Sequence, residues 1–366
     1  MVWFPVSRYR GEPDFRHNAQ DCTGVLLVNL GTPDQPDTRS VRRYLAEFLM
    51  DPRVVEIWRP LWWLILHGVI LRLRPRKVAA LYRSIWTPEG SPLLVIPQQQ
   101  TEQIAKRLTE IAPGRVETVL AMRYGSPSIE EGLETLRKRG ARRLLVLPMY
   151  PQYSATTTAS VFDEVTRVLG QRRLVPGLRF IQHYHDDPGY INALAASIRE
   201  HWETHGRPDR LLMSFHGIPR RCLLAGDPYF CEVQKTGRLL AQALQLEDDQ
   251  WLLAFQSRFG REEWLKPYVD PTLREWGASG IGRVDVVCPG FSADCLETLE
   301  EMSVQNRETF LESGGREYHY IPALNTRPDH IEALSQLLVR HMAGWDEDCS
   351  DPAARLERAR AHGAQA

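Results

Sequence analysis

The sequence predicts an α/β protein made of two Rossmann-like domains, each a doubly wound parallel sheet. Apolar runs of strand length alternate regularly with segments of helical period. The strand-like runs are rich in Val and Leu and do not alternate with polar residues, as is typical of strands covered on both faces. A chain of 366 residues is also too long for one small core.

Eight strand-like runs occur in chain order. They lie at 24–30, 116–122, 143–149, 178–182, 211–215, 251–256, 284–288 and 318–321. Helical period is clearest between them, at 100–111, 128–139, 190–205 and 232–246. Asp37 or Thr38 is the expected N-cap after the first strand, and Ser126 or Ser128 after the second.

A basic segment marked by Gly and Pro, 170–177, predicts the domain boundary. The first domain is expected at 22–172 and the second at 173–327. The helical stretch 328–343 should pack back on the first domain. Residues 344–366 lack a convincing apolar face and predict a mobile tail.

Composition narrows the function. A net charge of -1 argues against nucleic acid as a partner, since phosphate binding needs a surplus of Lys and Arg. No G-x-G-x-x-G or G-x-x-x-x-G-K-[ST] motif supports a nucleotide site. The N-terminus has no signal-peptide pattern, and the six cysteines show no C-x-x-C spacing. A cytoplasmic protein with reduced thiols is therefore expected.

Segment 57–71, IWRPLWWLILHGVIL, is strongly apolar but carries Arg59, Pro60 and His67. It is shorter than the roughly 20 residues of a spanning helix. Two interpretations stay open, a buried helix or an exposed lip that touches a membrane or an apolar ligand. Its tryptophans favour interfaces, which supports the lip.

Ligands of such folds bind at the carboxyl ends of the strands, so the residues that follow each strand are candidates. Arg123 and Tyr124 end the second strand and suit a carboxylate and a flat apolar group, although a surface Arg and a packing Tyr explain them equally. A hydroxyl-rich run from Ser154 opens a helix after the third strand. Helix N-termini favour anionic groups, and simple capping is the alternative.

His216 closes the strand 211–215 and is followed by Gly217, which lets a ligand approach the backbone. A satisfied core histidine is the alternative on position alone. The strand 284–288 leads to Asp294, Glu297 and Glu301, whose spacing of i, i+3 and i+7 puts three carboxylates on one helical face. Ser292 is the expected N-cap of that helix.

Together these motifs resemble the ferrochelatase family. They are VNLGTP, GSPL, PMYPQYSATTTAS, LLMSFHGIP, GDPYFCEVQKT and PGFSADCLETLEE, in the family's order, and the match covers residues 24–342. The resemblance implies two Rossmann-like domains with a porphyrin cleft between them. It also implies a lyase that inserts Fe(II) into protoporphyrin IX with release of two protons, the last step of haem biosynthesis.

The resemblance assigns roles to individual residues. His216 matches the active-site histidine and Glu297 the essential glutamate, with Glu301 following on the acidic helix. These three are expected to handle the metal. The porphyrin is expected to contact a further set, namely Leu30, Arg123, Tyr124, Ser154, Trp62 and Trp63. We expect neutral His216 to accept pyrrole protons.

This chain departs from the family at two places. Cys295 stands where many relatives carry His. Only Cys349 follows Cys295, so we expect no iron–sulfur cluster and no tightly bound cofactor. Protoporphyrin IX and Fe(II) are the expected partners of a monomer or homodimer with peripheral membrane contact. Alternatives are a coproporphyrin ferrochelatase, a cobalt or nickel tetrapyrrole chelatase, and a non-catalytic tetrapyrrole or metal carrier.

Overall fold

The computed structural model describes residues 8–12, 15–19, 21–260, 262–345 and 351–364. It contains two four-stranded parallel sheets, which confirms the predicted fold class. The strands are β1 (Cys22–Gly31), β2 (Val116–Tyr124), β3 (Ala141–Pro148), β4 (Gly177–Phe180), β5 (Arg210–His216), β6 (Trp251–Gln256), β7 (Arg283–Val287) and β8 (Glu317–Tyr320).

The two sheets share one topology. The first has the order β2-β1-β3-β4 and the second β6-β5-β7-β8, with every pair parallel. In each sheet the chain begins at an inner strand, runs to one edge and returns to the other side. The crevice therefore opens beside β1 in the first sheet and beside β5 in the second.

Helices cover both faces of each sheet, and three short π-helical segments interrupt them. The α-helices are α1 (Thr38–Met50), α2 (Arg59–Ile65), α3 (Leu71–Ile85), α4 (Pro92–Ile111), α5 (Ile129–Lys138), α6 (Ser160–Leu169), α7 (Pro188–His205), α8 (Arg220–Leu224), α9 (Tyr229–Leu244), α10 (Val269–Ala278), α11 (Asn306–Glu312), α12 (Pro328–Met342) and α13 (Pro352–Ala361). The π-helices are π1 (Leu66–Ile70), π2 (Ala155–Ala159) and π3 (Glu297–Gln305).

The predicted boundary at 170–177 is wrong. Strand β4 begins at Gly177 and pairs with β3, so the residues just after this segment still belong to the first sheet. The Gly and Pro residues mark a loop between α6 and β4 within the first half. The first strand of the second sheet is β5, and α7 crosses between the halves.

A shared core joins the two halves. Helix α12 packs on α4 of the first half and on α7. Buried side chains from both sheets, such as Leu27 and Met213, belong to one apolar cluster. Gln152 donates through Nε2 to Thr236 Oγ1 at 3.0 Å and to the Pro289 carbonyl at 3.3 Å. These contacts hold the carboxyl edges of the two sheets next to each other.

The segment predicted as a mobile tail contains helix α13. None of its side chains is buried, in line with the missing apolar face. The helix is nevertheless held by Arg355, which donates to the backbone carbonyls of His17 and Ala19. The prediction missed it because the anchoring contacts are polar and link residues more than 330 positions apart.

Candidate active site

His216 lies at the carboxyl end of β5, half-buried, where it pairs in register with Gln256 of β6. The phenol of Tyr229 donates to the His216 carbonyl at 2.9 Å and fixes the backbone there. At Gly217 an added Cβ would meet the Gln256 carbonyl and the Trp264 ring at 3.0 Å each. Glycine is therefore required for the close packing behind the imidazole.

The hydrogen bond of the imidazole defines its tautomer. His216 Nδ1 lies 2.6 Å from the Gly217 carbonyl oxygen, which can only accept. In the neutral ring Nδ1 therefore carries the proton and Nε2 carries the lone pair. The ring of Trp264 lies 6.5 Å away, centroid to centroid. His216 thus presents a base or metal ligand at Nε2.

The end of β6 holds the acidic helix in place. Gln256 Nε2 donates to the Glu297 carbonyl at 3.1 Å, and the Ser257 amide donates to Glu301 Oε1 at 2.7 Å. Ser257 Oγ donates to the second carboxylate oxygen of Glu301. Ser257 reaches this position with a φ of 64°. A left-handed non-glycine residue costs about 1 kcal/mol, and here both its donors are directed at one carboxylate.

Glu297 and Glu301 are four residues apart on π3. Because each turn of a π-helix closes on the fifth residue, positions four apart stay on one face. Side chains add hydrogen bonds to the backbone carbonyls of this helix. Asn306 Nδ2 donates to the Glu301 carbonyl at 2.9 Å, and the Tyr318 phenol donates to the Met302 carbonyl at 2.7 Å.

Burial raises the pKa of Glu301, and the neighbouring charge of Glu297 raises it further. The two hydrogen bonds from Ser257 and the proximity of His216 lower the pKa in the opposite direction. His216 and Glu297 therefore both act on Glu301 electrostatically, and the metal-handling role of the three residues stays a prediction. Glu301 also lines a polar cavity of about 270 Å³ together with Asp270 and Gln305.

The first half contributes two phenols to the surroundings of Glu297. Tyr44 of α1 and Tyr82 of α3 are both buried. Burial raises the pKa of each phenol, and the charge of Glu297 contributes to both shifts. The pKa of the Cys295 thiol is raised in the same way, first by burial and then by Glu297. Cys295 is therefore a neutral, packed thiol.

Asp294 does not extend the line of carboxylates. Helix π3 begins at Glu297, so Asp294 precedes it and Ser292 is not its N-cap. Asp294 accepts from Thr298 Oγ1, the Tyr320 phenol and Asn325 Nδ2 at 2.7–2.8 Å. Ser292 Oγ donates instead to the Met149 carbonyl. The spacing assumed an α-helix from 292 onward, and the backbone is irregular there.

The predicted porphyrin contact of Tyr124 is wrong for this conformation. The side chain is 0% exposed, and its phenol donates to Asp51 Oδ2 at 2.8 Å. Arg123 donates to the same carboxylate oxygen at 2.6 Å and to Ser160. Only 15% of the Arg123 side chain is exposed. The Asp51 carboxylate therefore binds both Arg123 and Tyr124, the two residues that the sequence assigns to a ligand.

Ser154 is likewise occupied within the protein. It is buried, it caps π2 by accepting from the Thr156 amide, and it donates to Asp227 Oδ2 at 3.1 Å. Asp227 also accepts from the Ala155 amide at 2.7 Å. The capping interpretation therefore describes Ser154, and the predicted porphyrin contact is not available.

The apolar segment 57–71 is a buried helix in one part and an exposed lip in another. Trp62 is 7% exposed, and its Nε1 donates to the Leu49 carbonyl, so it belongs to a small core and not to a ligand surface. Trp63 is 51% exposed and packs against the ring of His67. Leu30 is partly buried in a cluster with Leu93 and Cys295, where the two halves meet. Trp63 and Leu30 remain predicted porphyrin contacts.

Five residues of the site were missed by sequence reasoning, namely Tyr44, Tyr82, Gln256, Ser257 and Trp264. Gln256 and Ser257 end a strand that the sequence identifies, so the rule that located His216 would have found them. No sequence signal places Tyr44 and Tyr82 at Glu297, because they come from helices of the other half.

Cys349, which enters the prediction about an iron–sulfur cluster, lies outside the described residues, and that prediction stands as one. Among the residues described, the cysteines at 22, 222, 231, 288 and 295 are free thiols, and all but Cys231 are buried. No described helix is long and apolar enough to cross a bilayer.

Solved structures at low sequence identity share this fold. SirB from Bacillus subtilis, solved with Fe3+, superposes with a TM-score of 0.53 at 12% identity, covering 89% of this chain and 100% of SirB. A multi-domain protein of Deinococcus radiodurans with structural similarity to chelatases gives a TM-score of 0.53 at 13% identity, over 93% of this chain and 60% of that one. The fold is the chelatase fold.

Sequence comparison then identifies the family. The Ferrochelatase family model matches residues 22–342. Ferrochelatases of Thioalkalivibrio sulfidiphilus and Methylibium petroleiphilum are 58% and 55% identical, covering 97% and 98% of this chain and 98% and 100% of the relatives. The chain belongs to the ferrochelatase family. It is a metal chelatase, a lyase with protoporphyrin ferrochelatase activity.

Proposed function

We propose that this enzyme metallates protoporphyrin IX with Fe(II) through His216 Nε2, which accepts the pyrrole protons, and through Glu297 and Glu301, which hold the iron and relay the protons. The observation that carries the proposal is the tautomer of His216. The Gly217 carbonyl accepts from Nδ1 and leaves the lone pair on Nε2. A base at a strand end beside two glutamates suits the removal of two protons.

The two glutamates differ in how they are held. Glu301 is fixed by both donors of Ser257. Gln256, in contrast, holds the backbone carbonyl of Glu297, and the Glu297 carboxylate has the Cys295 thiol as a hydrogen-bonding neighbour. We infer that Glu301 passes on protons at a fixed position and that Glu297 approaches the metal. Oxygen ligands with one imidazole bind Fe(II) weakly enough for it to be released into the macrocycle.

The His216→Ala variant tests the role of the imidazole. Insertion should fall about a thousandfold, the order expected for loss of a positioned general base. Porphyrin binding, measured by fluorescence quenching, should change less than about threefold. His341→Ala, on the exposed face of α12, is the matched control. Wild-type turnover in His216→Ala would contradict the proposal, whereas loss of porphyrin binding alone would make His216 a binding residue.

The lip, taken here as residues 57–73, supports protoporphyrin over coproporphyrin, since most of its exposed side chains are apolar and only His67 and Arg72 among them are polar. Trp58 is 74% exposed and Leu73 68% exposed. Coproporphyrin has two further propionates to place against this surface. We expect kcat/KM to favour protoporphyrin by about tenfold, with Fe(II) held constant. Equal or reversed preference would point to a coproporphyrin ferrochelatase.

The same lip supports peripheral contact with an anionic bilayer. Exposed Leu61, Leu64 and Val69 are followed on α3 by exposed Arg72 and Arg76. Apolar side chains beside basic ones are typical of helices that lie at a membrane surface. Cosedimentation with phosphatidylglycerol vesicles should fall several-fold in Trp58→Ser/Leu64→Ser and stay unchanged in Val175→Ser, an exposed apolar control away from the lip. Equal binding of the wild type, the double variant and the control would show that the lip does not contact the bilayer.

A further inference from the structure

Three histidines converge on the second sheet, away from His216. His201 and His205 lie one turn apart near the end of α7, and His319 lies on the edge strand β8. One nitrogen of each ring lies within 4.8 Å of the other two. His201 is partly buried, His205 is exposed and His319 is partly buried, so solvent reaches the cluster.

We propose that His201, His205 and His319 form an accessory site for a divalent metal ion of the zinc class, which clamps α7 to β8. Imidazole suits Zn(II) and its neighbours in the first transition row, and three imidazoles with an open fourth position form a recurrent zinc site. The ion would link residues that are 118 positions apart in the chain. This site plays no part in the proposed proton transfer.

The spacing of the ring nitrogens fits one ion. His201 Nε2 lies 3.2 Å from His319 Nδ1. Two nitrogens bound tetrahedrally at zinc–nitrogen distances near 2.1 Å would stand about 3.4 Å apart. The rings of His201 and His205 stack at 4.3 Å, and His319 meets both edge-on at about 5 Å. Adjustments of a few tenths of an ångström would therefore complete the site.

Neighbouring groups hold two of the rings in the tautomer that a metal needs. His205 Nδ1 lies 3.0 Å from the His201 carbonyl, which can only accept, so the lone pair of the neutral ring is on Nε2. Arg283 Nη2 lies 3.3 Å from His319 Nδ1 and can only donate, so the lone pair of His319 is on Nδ1. The His205 contact uses the nitrogen that does not bind the ion, as orienting contacts of histidine ligands usually do, whereas an ion at His319 Nδ1 would displace Arg283 from that nitrogen.

The charges around the cluster balance. Asp285 of β7 is fully buried, and its carboxylate lies 3.5 Å from His201 Nε2 and 3.8 Å from His319 Nδ1. Arg283 and the indole of Trp202 already bond to both oxygens of Asp285, at 3.0–3.3 Å. Asp285 therefore offsets the positive charge of Arg283, so the imidazole nitrogens would have to hold the proposed ion without a net negative charge beside it.

The site lies on a different face from the catalytic cleft. Val284 and Val286 point into the core on one side of the second sheet, so Asp285 between them points to the side that α7 covers. His216 lies at the carboxyl edge of the same sheet, two strands from β8. Metal binding at the two places can therefore be separated by mutation.

Co(II) and Zn(II), added singly to the metal-free full-length protein, test the proposal. Co(II) should give the visible absorption of a four-coordinate ion in the wild type and in His216→Ala. The absorption should be lost in His319→Gln and in His205→Gln. His362→Gln, an exposed histidine elsewhere, is the matched control and should behave as the wild type. Zn(II) at a hundredfold excess over its Kd should raise Tm by roughly 3 °C, except in the two cluster variants.

Two results would overturn the proposal. One is the absence of stoichiometric binding in the wild type. The other is Co(II) absorption that survives in His319→Gln and His205→Gln but disappears in His216→Ala, because the ion would then lie in the cleft. Iron insertion by the two cluster variants should stay within about twofold of the wild type. His205 is exposed, so its variant carries the test if His319→Gln does not fold.

Discussion

The carboxyl edges of the two sheets carry similar polar residues but use them differently. At the first sheet, Arg123 and Tyr124 are bound to Asp51, and Ser154 is bound to Asp227. At the second sheet, His216 uses Nδ1 for a backbone contact, and among the described residues none bonds to Nε2. One edge is closed by the protein's own carboxylates, and the other presents its groups to the cleft.

This difference shows what the position of a residue at a strand end does and does not predict. It predicts which side chains come close together, because parallel strands end at a common edge. It does not predict whether a ligand can reach them. A carboxylate from elsewhere in the chain, such as Asp51 between α1 and α2, satisfies the cations and hydroxyls before a ligand can.

The largest effect should follow from Glu297→Gln, at the open edge. The amide keeps the shape of the side chain but cannot bind Fe(II) as an anion or accept a proton. We expect kcat to fall about a thousandfold with little change in the free energy of unfolding. Glu300→Gln, three residues along π3 and bonded only to Gln305, should retain activity. A change confined to the apparent affinity for porphyrin would contradict the metal role.

At the closed edge, Asp51→Asn should act on stability and much less on catalysis. Asp51 Oδ2 accepts from Arg123, Tyr124 and Ser160, and the carboxylate side chain is 2% exposed. Removing the Asp51 charge leaves the guanidinium of Arg123 without its ion-pair partner. This should lower the free energy of unfolding by about 3 kcal/mol.

Urea unfolding measures this loss, and turnover per folded molecule should stay within about threefold of the wild type. The matched control is Asp163→Asn, which breaks an exposed pair with Arg53 and should cost under about 1 kcal/mol. A large fall in kcat without destabilisation would place the Asp51 group in catalysis and remove the difference between the edges.

The strands were predictable because their pattern is local. Buried parallel strands need continuous apolar runs, and the run 251–256 coincides with β6 to the residue. The domain boundary was not predictable, because a Gly- and Pro-rich loop has the same composition within a domain as between domains. Whether β4 joins the first or the second sheet depends on a pairing that its own four residues do not encode.

Within the site, His216 and the two glutamates were predictable from strand ends and from family motifs. The burial of Trp62 was not predictable, since it depends on a carbonyl acceptor at Leu49, thirteen residues away. The extension of the acidic line to Asp294 failed because helical spacing was assumed where the chain is irregular. No pattern in the sequence predicted the π-helical winding of 297–305.

Glu301→Gln sharpens the comparison at the open edge, with a smaller effect that depends on pH. Burial raises the pKa of Glu301, so the folded protein binds this proton more tightly than the unfolded chain does. The group therefore contributes stability below its unfolded pKa and loses that contribution as pH rises through the folded pKa. At pH 7 the ionised side chain is the less favourable form for folding.

The glutamine amide can accept from the Ser257 amide and donate to Ser257 Oγ, so we expect unfolding at pH 7 to be unchanged or slightly less favourable than in the wild type.

Insertion should fall about tenfold at pH 7, as expected when a relay step is slowed. In the wild type the rate should decline as pH falls through the raised pKa of Glu301, and the variant should lose this contribution and keep only the decline caused by protonation of the other groups of the site, His216 and Glu297. Glu308→Gln, exposed on α11, should keep the wild-type profile. Full activity with an unchanged profile in Glu301→Gln would make Glu301 a structural carboxylate of the kind found at the closed edge.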